Sequence, residues 1–381
     1  MMLISIDDVR IHARRNLPAW FFDYVEGGAY SETTLRRNRA GFDRYAFLPR
    51  VLQSASRPDL SVQIMGMKWA MPVMPGPVGF CGLVHAGGEV LTARVASACG
   101  VPMGLSTFSI APMEDVARAT DPARIMLQLY VLKNRDIMRD LLVRARACGI
   151  GTLVLTVDTT VTPMRERDAR NGFRGAGGLS LRQLVQMAGK PRWFARIMRH
   201  GQPQIGNIIR YNMGRTLFEQ AANIGREMDP DLSWTDLAWL RDNWQGKLVV
   251  KGILHPDDAV QCAQAGVDGI VVSNHGGRQM DGALSTIEAL PAIAAAVRAR
   301  MTILLDGGVR YGTDVVKALA LGAHGVMIGR PYVYGLAANG EQGVVDVLDY
   351  FADGIRSSLT LLGISTVNAL HDQSARYMIQ S

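Results

Sequence analysis

Cysteine is scarce in this sequence. Cys81, Cys99, Cys148 and Cys262 are its only four, far apart in 381 residues. They form no CxxC pair and no zinc-ligand spacing, so a disulfide-stapled scaffold is excluded and no metal site is expected. Long hydrophobic runs are missing as well. Nothing approaches the roughly 18 consecutive apolar residues that read as a membrane span. The opening MMLISIDDVR, with Asp7 and Asp8 and no apolar core, does not read as a signal peptide, and a cytoplasmic protein is expected. Acidic residues are absent from one long stretch: residues 172–218 contain no Asp or Glu.

That last absence locates the charge. The chain carries 41 Lys+Arg against 34 Asp+Glu, a formal +7. Eight of the basic residues (Arg174, Arg182, Lys190, Arg192, Arg196, Arg199, Arg210 and Arg215) fall within 172–218, leaving 33 against 34 elsewhere. A basic protein can meet nucleic acid, a membrane surface or an anionic ligand. Without a basic face spread over the rest of the chain, nucleic acid is excluded. Hydrophobic residues at 48% and charged residues at 20% lie near globular averages, which excludes disorder. The length suits two domains or one large α/β barrel.

Short β-rich apolar runs recur: Met71–Pro77, Val101–Ser106, Arg124–Tyr130, Thr152–Asp158, Lys247–Gly252, Gly269–Asn274, Thr302–Gly307 and Gly325–Arg330. Continuous rather than alternating hydrophobicity fits parallel strands buried on both faces. Helical patterns lie between them, several opened by Ser, Thr or Asp. Eight strands alternating with helices predict a (β/α)8 TIM barrel, one domain over 1–381 with a helical lead-in over 1–70. The fourth and fifth strands start about 95 residues apart. The basic segment 172–218 falls in that gap, as an insertion in the loop after strand 4, on the face where barrel active sites lie.

Residues at the C-terminal ends of barrel strands point into the active site. Here those ends are polar: Ser106, Gln128 with Tyr130, Thr156 with Asp158, Lys251, Ser273 with His275, Asp306, and Arg330. Singly, each fits a cap or a solvated turn; together they outline a site. The last two strands close on Asp306-Gly307-Gly308-Val309-Arg310 and Ile328-Gly329-Arg330. Glycines there let backbone N–H groups approach a phosphate, and the arginines add charge; plain tight turns would also use them. No GxGxxG follows a strand, which argues against a Rossmann site. In Ser273-Asn274-His275-Gly276-Gly277-Arg278-Gln279-Met280-Asp281 a histidine stands beside a cation. Arg278 can hold a carboxylate bidentately while His275 removes a proton, with Asp158 to orient the imidazole.

The run SNHGGRQMDG resembles the active-site signature of the FMN-dependent L-2-hydroxy acid dehydrogenase and oxidase family. The similarity extends from Asp23-Tyr24-Val25-Glu26-Gly27-Gly28 through DGGVR and IGR. The resemblance implies FMN as cofactor and oxidation of an L-2-hydroxy acid to the 2-keto acid. It implies His275 as the base and Asp158 as its partner. Tyr24, Arg165 and Arg278 match the grip on the substrate carboxylate, and Tyr130 the phenol facing the substrate oxygen. Pro77, Val78 and Gly79, with Ser106, Gln128, Thr156, Lys251 and Ser273, match positions beside the flavin ring and ribityl chain. Asp306, Gly307, Gly308, Arg310, Gly329 and Arg330 match ribityl and phosphate contacts. The proton that His275 takes comes from the α-carbon or from the hydroxyl, and both routes stay open. Family members are commonly tetramers, so a homo-oligomer is expected.

Gly79 stands where the family's dehydrogenases tend to carry glycine and its oxidases alanine, which implies that electrons go elsewhere than to oxygen. Val78 departs from the family's common Thr. Residues 77–82 and 27–38 are most similar to bacterial lactate-oxidising members, so L-lactate is the expected substrate. Oxidation of (S)-mandelate, or an oxygen-using oxidase acting on glycolate or another 2-hydroxy acid, is the alternative; Phe108 is expected to narrow the pocket. In the insertion, Leu181, Leu184, Val185 and Ala188 share one helical face, while Trp193, Phe194, Ile197 and Met198 oppose Arg192, Arg196 and Arg199. An apolar face against arginines describes a helix lying in a membrane interface; a solvated basic loop over the site is the alternative. Membrane-associated family members carry their membrane segment in this loop. Peripheral contact through 177–215 at the cytoplasmic face of the inner membrane, with quinone or another membrane electron acceptor, follows as an expectation.

Overall fold

Each of the eight apolar runs forms a strand: β1 Val73–Pro75, β2 Met103–Leu105, β3 Ile125–Leu129, β4 Thr152–Thr156, β5 Lys247–Ile253, β6 Gly269–Val272, β7 Thr302–Leu305 and β8 Gly325–Ile328. The structure, a computed structural model, describes residues 4–53, 55–172, 180–199, 201–372 and 378–380. The strands run parallel in the order β1-β8-β7-β6-β5-β4-β3-β2. The two edges, β1 and β2, pack against each other, which makes a (β/α)8 barrel. Almost every strand residue is buried, as expected where helices cover the outer face and side chains fill the interior.

The lead-in is helical only in its first part. Helices Ile6–Asn16, Ala19–Glu26 and Thr33–Ala40 give way to a strand, Tyr45–Phe47, paired with Met378–Gln380, and then to a hairpin of Val62–Ile64 with Met67–Trp69. Val62, Ile64 and Trp69 are buried while Gln63 and Lys68 face out, the alternation of a half-buried strand. Met65 and Gly66 turn with φ of 50° and 83°, the paired left-handed residues of a tight hairpin reversal. The hairpin seats on the N-terminal end of the barrel. Ile64 and Trp69 pack against Gly325 at the start of β8, and Met65 against Gly269 at the start of β6.

At the opposite end the backbone is irregular where it serves the pocket. The β5–β6 register shifts between Lys251 and Ile253, a bulge of the kind that re-aims a side chain. A Cβ on Gly252 (φ 115°) would stand 2.7 Å from Asp158 Cβ, so glycine there gives Asp158 its room.

Between β4 and β5 lie helices Glu166–Arg170, Leu181–Ala188, Pro191–Met198, Leu217–Glu227 and Trp234–Asn243; Arg174 and His200 fall outside the described residues. A capping box of Ser180 and Gln183 starts the second. The apolar face expected of the third is divided. Phe194 and Met198 are exposed, as are Leu181, Leu184 and Val185, but Trp193 and Ile197 are only 7% and 6% exposed. Residues 193/197 and 194/198 are two i,i+4 pairs set about 100° apart around the helix, so one pair faces the protein and the other faces away. No helix among the described residues is long and apolar enough to cross a membrane.

Because Trp69 is fully buried at the end of the barrel remote from the pocket, Trp69→Ala is expected to cost about 3–5 kcal/mol in a urea melt. Ligand binding at the other end should be retained.

Candidate active site

A cavity of about 540 Å³ opens at the C-terminal ends of the strands, within the usual size of ligand pockets. Tyr24, Pro77, Val78, Gly79, Ser106, Tyr130, Arg165, Lys251, His275, Arg278, Asp306, Gly307, Gly308, Arg310, Gly329 and Arg330 all line it. Gln128, Thr156, Ser273 and Asp158 do not border the cavity; the first three are buried, and Asp158 lies behind His275, reaching the site through its neighbours.

His275 owes its position to strained backbone. Its φ is 57°, and Gly276 and Gly277 follow at 64° and 75°. A non-glycine residue held there costs on the order of 1–3 kcal/mol. Ser273 Oγ accepts the His275 N–H and Asn274 Oδ1 the Gly277 N–H, each at 3.1 Å, while Gly277 O accepts from Ala29 N at 2.9 Å. The result sets His275 Nδ1 3.1 Å from Asp158 Oδ1 and leaves Nε2 for a substrate. Burial pulls the imidazole below its ordinary pKa, with Lys251 adding to the effect and Asp158 opposing it. Burial would raise Asp158, but His275 and Lys251 hold it below the usual carboxylate range. At neutral pH the pair is a neutral imidazole oriented by a carboxylate, the form a general base requires.

Beside it stand the two candidate carboxylate-gripping arginines. Arg278 Nη1 donates to the carbonyls of Tyr24 (2.6 Å) and Gly27 (2.9 Å), and its guanidinium lies 4.8 Å from the Tyr24 ring centroid. Arg165 donates to Arg278 O at 3.4 Å and lies 3.9 Å from Asp168. An aromatic wall closes this side: Phe21 stacks on Tyr24 at 5.8 Å, and the row continues through Phe80 and Phe108 to Tyr130. Phe108 lines the cavity, where it was expected to narrow it.

In and behind the rest of the pocket, three buried polar atoms lack protein partners. Ser106 Oγ and Thr107 N donate to Gln128 Oε1 at 3.2 and 3.3 Å, leaving Gln128 Nε2 unbonded; Thr156 Oγ1 and Asp306 Oδ1 are unbonded too. Buried polar atoms are nearly always paired, so three such atoms at one end of a barrel mark a polar ligand. Lys251 Nζ donates to Ser273 Oγ at 2.8 Å and pairs with Asp306 at 2.9 Å. Burial works against its charge, but Asp306 and Asp158 raise its pKa above the ordinary value. Gly308, at φ 82°, lies so close to Asn38 O that a Cβ would come within 2.0 Å of it; only glycine fits that turn. Arg330 donates to the carbonyls of Val25, Gly276 and Gly27 at 3.1, 3.0 and 2.8 Å. Burial pulls its pKa down to about 10, with Arg278 and Arg310 adding to the effect against Tyr334 and Glu26, and a bound anion would relieve that repulsion. Unpaired amide and hydroxyl groups, a buried ammonium and a glycine turn flanked by arginines fit a flavin mononucleotide.

Residues 217–228 also border the cavity, through Leu217, Phe218, Ala221, Ala222, Gly225 and Met228. In the sequence they fall at the end of the basic segment 172–218 and just beyond it, where the i,i+4 series 217, 221, 225 is the signal of a helical face. Gln279 was overlooked as well; its Nε2 donates to the carbonyls of Asp158 and Val161, both at 3.0 Å, tying the loops after β4 and β6 together.

The family model for FMN-dependent dehydrogenases matches residues 13–377. The L-lactate dehydrogenase of Pectobacterium atrosepticum is 46% identical over 369 residues, covering 96% of this chain and 95% of the relative. That of Yersinia pestis is 46% identical over 378 residues, covering 98% of each. Among solved structures, the monotopic membrane protein (S)-mandelate dehydrogenase superposes with a TM-score of 0.94 at 38% identity over all of both chains. A soluble mutant of the membrane-associated (S)-mandelate dehydrogenase from Pseudomonas putida gives 0.83 at 36%, again over all of both chains.

In a histidine NMR titration, His275 is expected to protonate below about pH 6.5. Asp158→Asn should push it lower still, because the carboxylate is what opposes the effect of burial. A rise on that substitution would contradict the electrostatics described.

Proposed function

The chain belongs to the FMN-dependent dehydrogenase family and is an FMN-dependent 2-hydroxy acid dehydrogenase; we propose that it converts L-lactate to pyruvate and delivers the electrons to quinone or another membrane acceptor. Supporting this reading is the convergence, in one cavity, of a neutral imidazole on a carboxylate with two guanidiniums. Arg278 and Arg165 hold the substrate carboxylate, with Tyr24 beside it. Tyr130 meets the hydroxyl oxygen. His275 receives the proton, and Asp158 stabilises the imidazolium that forms. FMN, when bound, would supply the acceptor for the two electrons and the second hydrogen that leave the substrate. Pro77, Val78, Gly79, Ser106, Gln128, Thr156, Lys251 and Ser273 would hold its ring and ribityl chain, and Asp306, Gly307, Gly308, Arg310, Gly329 and Arg330 its ribityl and phosphate end.

Identity to L-lactate dehydrogenases and the Phe108–Tyr130 wall favour a small substrate side chain. The likeness to (S)-mandelate dehydrogenase, together with small Ala221, Ala222 and Gly225 in the cavity lining, supports mandelate as a second reading. Gly79 favours a dehydrogenase over an oxidase. An alanine there would put its Cβ 2.9 Å from Phe108 Cβ, so glycine is also what lets Phe108 lie on the cavity.

Exposed Leu181, Leu184, Val185, Phe194 and Met198, among exposed Arg182, Arg192, Arg196 and Arg199, support peripheral contact with an anionic bilayer through 177–215. The cytoplasmic face of the inner membrane is the surface that fits, and a homotetramer is the assembly proposed.

Anaerobic bleaching of the flavin spectrum by L-lactate, (S)-mandelate and glycolate in parallel tests the substrate. L-lactate is expected to bleach fastest, and no bleaching by any 2-hydroxy acid would overturn the functional reading. Replacing 177–215 by a short polar linker is expected to abolish sedimentation with membranes while leaving a flavin that substrate still bleaches. Unchanged sedimentation would sink the membrane assignment.

A further inference from the structure

The insertion is docked at the joint between the first two helices. Helix Ile6–Asn16 ends there and helix Ala19–Glu26 begins, and helix ends leave backbone groups without partners in their own helix. Pro18, at the N-cap of the second helix, makes no side-chain cap. Gln186 supplies one from the insertion, its Oε1 accepting the Trp20 N–H at 3.1 Å. Lys190 Nζ donates to Arg15 O in the last turn of the first helix. Trp193 fills the joint: its ring stands edge-on to Trp20 at 6.4 Å, and its Nε1 donates to Leu83 O at 2.8 Å. Leu83 belongs to the short helix Cys81–Val84, which follows the cavity-lining segment Pro77–Phe80.

Both partners of Trp193 lead to the pocket. Trp20 lies in the first turn of the helix that carries Tyr24, and Phe21 lies nearly parallel to the Tyr24 ring at 5.8 Å and 10°. Tyr24 in turn lies under Arg278. The helix that turns Phe194 and Met198 outward therefore uses its other face to brace two walls of the active site.

We propose that Trp193, with Gln186, is a positioning residue for the substrate site. The two hold Tyr24 and the loop after β1 in register with Arg278. The proposal rests on the reading of Tyr24, Arg165 and Arg278 as the carboxylate grip. Neither Trp193 nor Gln186 lines the cavity, so they act through the helix and loop they hold. A carboxylate grip is made equally in the ground and transition states, so loosening it raises KM and spares kcat.

The test uses the flavin-loaded full chain with L-lactate and a soluble dye acceptor. Trp193→Ala is expected to raise KM on the order of tenfold, with kcat within about twofold, since sub-ångström misplacement of a binding group has effects of this order. Trp193→Phe keeps a ring against Trp20 but loses the bond to Leu83 O, so it should fall between; Gln186→Ala should shift KM in the same direction. Should Trp193→Ala fail to fold, the other two variants carry the test. Wild-type KM in the folded variants, or a loss confined to kcat, would overturn the positioning role. Tyr24→Phe separates this from the reading beneath it. Raised KM in Tyr24→Phe with wild-type KM at positions 193 and 186 refutes the positioning role alone, whereas unchanged KM in Tyr24→Phe refutes the grip and the proposal with it.

Discussion

The pocket is organised around a buried ammonium. Lys251 emerges from a bulge in β5, pairs with Asp306 at 2.9 Å, and donates to Ser273 Oγ at 2.8 Å. A buried ion pair seldom adds net stability, yet removing one partner leaves the other uncompensated at a cost of about 3–5 kcal/mol. Its use here is therefore electrostatic. The fixed charge on Lys251 helps keep His275 neutral and Asp158 ionised, and Ser273, which accepts from the ammonium, also accepts the His275 N–H. One cation thus acts on the base through its field and, through Ser273, on the base's strained backbone.

Much of this was legible in the sequence because a buried parallel strand leaves a plain signature. Its apolar run is continuous, and the first polar residue after it marks the strand's catalytic end. Lys251, Ser273, Asp306 and Arg330 stand at such ends, and His275 follows Ser273 by two residues. Recognition failed where the signal was short or two-sided. The hairpin at 62–69 is only three residues per strand, and its reversal depends on left-handed Met65, a conformation that methionine rarely adopts. Residues 217–228 looked like the tail of a loop, although their apolar series marks a helix with one face on the cavity. Trp193 and Ile197 could not be told from Phe194 and Met198 by periodicity, because a helix of eight residues can carry two apolar faces at once.

The two ends of the barrel divide the work. At the N-terminal end Trp69 and Ile64 fill the space left by Gly325, and the one polar atom they bury without a partner is the indole Nε1 of Trp69. At the C-terminal end Gln128, Thr156 and Asp306 keep buried polar atoms without protein partners. That arrangement lowers the stability of the chain alone and is offset only when a ligand supplies the missing bonds. Arg330, depressed to about 10 by burial with Arg278 and Arg310 adding to the effect, belongs to the same account: its surroundings favour an anion more than they favour the empty fold.

The insertion extends this division outward. Helices of eight residues are marginal by themselves in water, so Leu181–Ala188 and Pro191–Met198 exist because something holds one face of each. Gln183 donates to Asn171 O, Gln186 accepts from Trp20, and Trp193 donates to Leu83 O; the last two anchors lie on the lead-in and the barrel. The exposed leucines, valine, phenylalanine and methionine are thus displayed on a preformed surface rather than on a floppy loop. If the proposed bilayer contact is made, it meets a helix whose ordering entropy is already spent on contacts with Trp20 and Leu83. On the reading proposed above, attachment to a surface and bracing of the pocket use different faces of the same short helices, Phe194 and Met198 facing out where Trp193 faces in.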